Sequence, residues 1–179
     1  MEKENERMKI YSDDPLVHYK NSALTPERTR AEIDALLGYF KVSDIHWHWK
    51  PQENDVYVRF ILEEQVEGVF TKLAVKVVCP TIWDKERPRA RPRQPEQINW
   101  RVSMRALWWY LKSSLEMSYA MQSSRIVAFL PYLVNSREES LKDLLIPQIA
   151  RSGQFEALPT PEEMEQSKKI IEVPRIDRE

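Results

Sequence analysis

At 179 residues the chain has the length of one domain with tails, and 42% apolar residues are enough to bury a core, which excludes wholesale disorder. A single cysteine, Cys79, excludes an internal disulfide framework and a thiolate-rich zinc site, and it fits a reducing compartment. A net charge of −1 gives the whole molecule no preference for polyanions. Between residues 85 and 112, however, eight Lys/Arg face only Glu86 and Glu96, and screening over roughly 8–10 Å lets such a patch act by itself.

Residues 1–22 carry charge and little apolar periodicity and read as a flexible N-terminal arm. Their Glu/Lys alternation has no apolar run behind it, and no stretch approaches the roughly 20 apolar residues of a membrane helix, so a cytoplasmic protein without a membrane role is expected. A helix start follows at Thr25-Pro26-Glu27, with Thr as N-cap, Pro at the first helical position and an acid in the first turn. Ile33, Leu36, Leu37 and Phe40 give this helix one apolar face, and Gly38 reads as its C-terminal stop.

Three segments of period 2 come next. Ile45, Trp47 and Trp49 share one strand face, with Asp44, His46 and His48 opposite; Val56, Val58, Phe60 and Leu62 repeat the alternation; Leu73, Val75, Val77 and Cys79 form a third strand before Pro80. The short spacings favour an antiparallel meander. Residues 85–95 hold three prolines and, Ala90 apart, no apolar side chain, so they form an extended, solvated loop.

Pro95 then opens the longest helix, over about residues 96–122, whose core-facing stripe is Trp100, Met104, Leu107, Trp108, Leu111, Leu115 and Tyr119. Residues 126–134 read as a fourth strand, with Pro131 marking an edge or bend. Leu141, Leu144, Leu145 and Ile149 predict a short helix that Pro147 interrupts or ends. Thr160-Pro161-Glu162-Glu163 is a second capping signature in the tail.

These elements predict an α+β fold: an antiparallel three- to four-stranded sheet with one long helix packed on a face, in the order α-β-β-β-α-β-α. The domain is expected over residues 23–158, with residues 159–179 as a C-terminal tail carrying a short helix. The α-β-β-β-α part is similar in topology to a double-stranded-RNA-binding domain, whose phosphate contacts come from basic residues near the start of the helix after the third strand.

From the third strand onward the chain also resembles a family of short, uncharacterised proteins carried by bacteriophages and other mobile elements. The resemblance rests on residues 96–101 (ending Trp100-Arg101), residues 105–110, and Phe129-Leu130-Pro131-Tyr132-Leu133. It implies an accessory protein of a phage or mobile element and lends no catalytic residues.

The concentrated chemical signal is basic and aromatic. Arginines neutralise phosphates and fork hydrogen bonds to them, and exposed aromatic rings stack on unpaired bases. Lys85, Arg87, Arg89, Arg91 and Arg93 line the loop, and Arg101, Arg105, Trp109 and Lys112 continue along the helix at spacings of three or four. Alternate arginines in an extended chain stand about 6–7 Å apart, similar to the phosphate step along one strand. Trp83 and Trp109 are the expected exposed rings.

The predicted function is therefore non-enzymatic nucleic-acid binding. The competing reading is a protein-interaction module docking the same loop on an acidic host protein, as a monomer or as a homodimer through the fourth strand's edge. No catalytic residue, metal or cofactor is assigned. His46-x-His48 is the best metal pattern, with Asp44 on the same strand face and His18 or Glu63 as possible third ligands, but outer-face histidines are commonly plain surface. A metal-dependent nuclease would need Glu two residues before Lys72 or Lys76, where Phe70 and Ala74 stand. Cys79 falls on an apolar strand face, and there is no nucleophile elbow or glycine-rich phosphate loop.

Overall fold

The computed structural model describes residues 9–17, 19–66, 68–86, 95–135 and 137–152, with only the backbone of Val66 and of residues 149–152. His18, Arg87, Arg89, Arg91, Arg93 and the capping signature at Thr160 lie outside the described residues. The chain divides into two units, residues 1–142 and 143–179.

The frame of the first unit is an antiparallel meander of β2 (Ser43–Lys50), β3 (Asp55–Val66) and β4 (Val69–Val78), in that spatial order. Beta-branched and aromatic side chains alternate along all three, so one row turns inward. Val56, Val58, Phe60, Leu62, Val75 and Val77 are buried in a single cluster with residues of both long helices. Those helices are α1 (Pro26–Tyr39), which supplies Ile33 and Leu37, and α2 (Trp100–Ala120), which supplies Met104, Leu107, Leu111 and Leu115. The protein is α+β, and the order α1-β2-β3-β4-α2 agrees with the alternation read from the sequence.

A second sheet was not foreseen. β1 (Ile10–Tyr11) pairs parallel to β5 (Ile82–Asp84), and β5 pairs antiparallel to β6 (Gln97–Ile98). Val17, Ile82 and Val102 form a small buried cluster beside it. The described part of the expected flexible arm is thus anchored. The long helix begins at Trp100 rather than 96, because Gln97 and Ile98 are held by β5 and Asn99 caps the helix, its Oδ1 accepting from the Val102 amide at 3.2 Å.

The expected fourth strand is corrected as well. Residues 126–134 are mostly helical: α3 (Arg125–Phe129) runs into a 3-10 turn, Leu130–Tyr132. Ser124 caps α3 by accepting from the Ile126 amide at 3.2 Å, and the Glu64 carboxylate meets the same end. A continuous apolar run carries no period, so it does not separate a strand from a buried helical turn. Only Leu133 and Val134 bridge to the β4 edge, the Val134 amide donating to Ala74 O at 2.9 Å. That covers the edge near Ala74.

The α2 stripe also turns further than expected: Ser118 is buried, while Tyr119 is 80% exposed. Helix α4 (Leu141–Ser152) starts at the end of the first unit and forms the described part of the second. It continues through Pro147 instead of stopping there, losing one i→i−4 bond.

Both long helices end without glycine. Lys41 (φ 54°) and Gln122 (φ 51°) occupy the left-handed position after the C-cap. The Val42 amide donates to Leu37 O at 3.0 Å and the Ser123 amide to Ser118 O at 2.9 Å, the six-to-one bond of a Schellman motif. Gly38, the expected stop, lies inside α1. A side chain in left-handed backbone costs roughly 1–2 kcal/mol, partly offset in glycine by its greater unfolded-state freedom. Lys41→Gly and Gln122→Gly are therefore expected to raise stability by about 0.5–1 kcal/mol each, read as an increased denaturation midpoint at unchanged slope; a decrease would show that the side chains themselves hold these turns.

Candidate nucleic-acid interface

The outer flank of α2 is a ladder of cations and rings. Arg101, Arg105, Trp109 and Lys112 follow at spacings of four, four and three, so they lie along one ridge of the helix. The Arg105 guanidinium rests 3.9 Å from the Trp108 ring centroid, and Lys112 Nζ lies 5.1 Å from Trp108 and 5.4 Å from Trp109. Trp108 and Trp109 meet edge to face at 5.1 Å, and Tyr19 stacks on Trp109 at 5.5 Å with rings 17° from parallel. Trp109 is still 38% exposed and Arg101 is exposed, as the sequence indicated. Trp83 is half-buried, with Lys9 Nζ 4.6 Å over its ring.

Several of the predicted cations already have acidic partners. Arg105 Nη1 donates to Glu32 Oε2 of α1 at 2.5 Å, in a pair that is mostly shielded from solvent. Lys112 Nζ lies 3.6 Å from Glu116, one turn on. Lys85 Nζ donates to Asp13 Oδ2 at 2.8 Å. Arg105 thus joins α1 to α2, which the spacing along one helix did not reveal.

The β5–β6 hairpin brings the two ends of the arginine-rich segment together, since Asp84 and Gln97 are cross-strand partners. The N-terminal strand clamps both ends. On one side Asp13 holds Lys85 and Ser12 Oγ donates to Asp84; on the other Lys9 Nζ and Tyr11 OH donate to Glu96 at 2.6 and 2.8 Å. Asn99 Nδ2 donates to both oxygens of Asp84 at 3.1 Å, so the helix cap and the hairpin share one side chain. Asp84 and Gln97, on either side of residues 85–96, are thus held together next to the start of α2 at Trp100. Sequence reasoning missed Lys9, Tyr11, Asp13 and Glu32, whose partners lie 72 to 87 residues away; no local pattern carries such pairs.

Two further exposed features lie near the C-terminal end of α2. Tyr39 and Tyr119, 81% and 80% exposed, line one hollow with Leu36, Phe40 and Glu116. Met117, Met121 and Val127 line a groove of about 610 Å³ with Tyr110 and Ala128.

The remaining chemistry is quiet. Cys79 is buried, and burial alone pushes its thiol up to about 12, leaving it protonated and unreactive at neutral pH. His46 and His48 do share the outer face of β2, but His48 stacks on Tyr57 at 4.7 Å and its Nε2 lies 3.0 Å from Asp55 Oδ2. A bulge between Ser43 and His46 interrupts the alternation on which Asp44 was placed beside them. Glu63, the other possible ligand, is engaged by Lys72 and Ser43. Among the described residues no group of three or more potential metal ligands converges, and no helix is long and apolar enough to cross a membrane.

The clamp has a defined pH range. Hydrogen bonds from Lys85 and Lys9 hold the Asp13 and Glu96 carboxyls below their usual 3.8 and 4.5, and the same bonds raise Lys85 and Lys9 above 10.5. A depressed acid contributes above its unfolded value and loses that contribution as pH falls through the folded one. A raised lysine contributes below its unfolded value and loses it as pH rises through the folded one. The clamp is thus complete at neutral pH and released at both extremes. NMR contacts between Tyr11 and Trp83 are expected to fade as pH drops below the carboxylate range while Val58–Val77 contacts persist. Simultaneous loss of both sets would show that the clamp does not act separately from the core.

No protein family, curated protein or solved structure matches this chain.

Proposed function

We propose that the protein is a non-enzymatic accessory protein that binds nucleic acid through phosphate contacts, of the kind that its resemblance to mobile-element proteins implies. The contacts come from Arg87, Arg89, Arg91 and Arg93 together with Arg101 and Lys112, and Trp109 offers a stacking ring. The observation that supports this reading is the pairing of Asp84 with Gln97, which brings together the residues flanking the arginine-rich sequence, with Gln97 four residues before the exposed Arg101. The acids already paired with Lys85 and Lys112 do not oppose it, because exposed ion pairs are worth only about 0–1 kcal/mol and exchange for phosphate at little cost. Arg105 belongs to the α1–α2 seam and is expected to contribute less than its neighbours.

Fluorescence anisotropy with labelled single- and double-stranded DNA and RNA, at two salt concentrations, tests the reading. Binding should weaken with salt, and Arg89→Glu/Arg91→Glu/Arg93→Glu should weaken it at least about tenfold and lower the salt slope by about 3. Absence of binding by the unaltered protein at low salt would end the proposal.

A protein-interaction role is the second reading, and two exposed apolar groups favour it, Tyr39 with Tyr119 and Met117 with Met121 and Val127. Tyr and Met are over-represented at the centres of binding surfaces. In that case the arginine-rich segment would meet an acidic host surface, and Tyr119→Ala would weaken the complex while the triple charge reversal would mainly slow its formation.

A further inference from the structure

The outward face of the meander carries a group of cations and rings that the proposed interface does not use. Cross-strand register sets Arg59 between His46 on β2 and Lys76 on β4, and sets Tyr57 beside His48 in the next row. His46, Trp47, His48, Tyr57 and Arg59 line a hollow of about 350 Å³. Lys76 Nζ stands 4.2 Å over the Tyr57 ring, on which His48 is also stacked. His48 Nε2 is screened from solvent and lacks an aligned hydrogen bond, even though Asp55 lies within ion-pair distance.

One acid reaches into this group from outside the sheet. Glu138 Oε1 accepts from Arg59 Nη1 at 2.8 Å and Oε2 accepts from Lys76 Nζ at 2.9 Å, one oxygen for each cation. Its backbone is left-handed, with φ 64°, in a turn whose amides are organised by Asn135: Oδ1 accepts from Arg137 and Glu139 at 2.8 and 3.1 Å. A non-glycine residue held in that conformation is strained and persists only where its surroundings over-determine it.

We propose that this face holds a phosphate-group site, built from Arg59, Lys76, His46, His48 and Tyr57, which Glu138 fills in the free protein as an internal carboxylate surrogate. A carboxylate bridging an arginine and a lysine takes the position that two oxygens of a phosphate would take, with the same charge-assisted geometry. A phosphate has a third oxygen and up to one more charge, so it can also use the imidazole and phenol donors that Glu138 does not engage, with His48 Nε2 exchanging its contact to Asp55. Displacing the Glu138 carboxylate frees the Arg59 guanidinium, which lines the hollow. The site faces away from α2, and it does not depend on the arginine-rich segment.

The test compares the full chain with Glu138→Gln, with Glu138→Gln/Arg59→Ala, and with Glu27→Gln, which removes the same charge from the first turn of α1. Inorganic pyrophosphate and a pentathymidylate are titrated against each form by calorimetry, with the His46 and His48 imidazole NMR signals followed in parallel. Glu138→Gln is expected to bind pyrophosphate at least about tenfold more tightly than the unaltered chain, with both imidazoles shifting. The gain should vanish in the double variant and be absent from Glu27→Gln. Pentathymidylate competing for the same signals would identify a nucleic-acid backbone as the source of the phosphate, and pyrophosphate binding alone would identify a phosphorylated small molecule. Equal affinity of Glu138→Gln and the unaltered chain, retention of the gain without Arg59, or the same gain in Glu27→Gln would overturn the proposal. Arg89→Glu/Arg91→Glu/Arg93→Glu should leave these titrations unchanged, so failure of the α2 interface and failure of this site are separate results.

Discussion

Strand β3 places everything else in the first unit. It is paired along both edges, and Val56, Val58, Phe60 and Leu62 are buried on one side of it. Burial of one row fixes the other, because a register slip of one residue would exchange the faces and put four large apolar groups in water. Each such side chain is worth roughly 1.5–3 kcal/mol when fully buried, so the slip is strongly opposed. The apolar stripes of α1 and α2 then close over the inward row, and the outward row of Tyr57, Arg59, Ile61 and Glu63 is left for polar chemistry.

The charged surface is organised by pairing rather than by accumulation. Lys85 meets Asp13, Lys9 meets Glu96, Lys72 meets Glu63, Lys112 meets Glu116 and Arg105 meets Glu32. This is how a chain of net charge −1 carries a basic strip without strong self-repulsion. Pairing does not make the cations equivalent. The Lys85 and Lys112 pairs sit where water and salt screen them, and a polyanion can replace their acids. The Arg105–Glu32 pair is shielded, spans two helices and is backed by the Trp108 ring, so breaking it would leave charges poorly solvated.

Features set by short-range chemistry were legible in the sequence. Thr25, Pro26 and Glu27 announced α1, with Thr25 Oγ1 accepting from the Arg28 amide at 3.3 Å. The period-2 rows announced the meander. What stayed hidden has a common cause: the deciding partner is distant. β1 has two residues, too few to show a period, and exists because Ile10 and Tyr11 find Ile82 and Trp83. The apolar run after Ser124 is helical because Glu64, on β3, meets its first amides. The basic residues of the candidate interface could be named from their spacing, but the acids that divide them into exchangeable and structural ones could not.

An ion pair that builds the fold differs from one that fills a site in what else holds the acid. Glu32 lies within α1, with helix on both sides, and its arginine also packs on a ring; neither partner can leave without opening the seam between helices. Glu138 bridges two cations from a strained turn, and the turn has other support. The Asn135 bonds to the Arg137 and Glu139 amides, the Leu141 amide bond to Leu133 O at 2.7 Å and the Val134–Ser140 bridge do not involve the carboxylate. On the sheet, Lys76 also has the Tyr57 ring as a partner, 4.2 Å from its Nζ. Removing the Glu138 carboxylate therefore costs the bridge and little else, which is the property that separates an occupied anion site from a structural link.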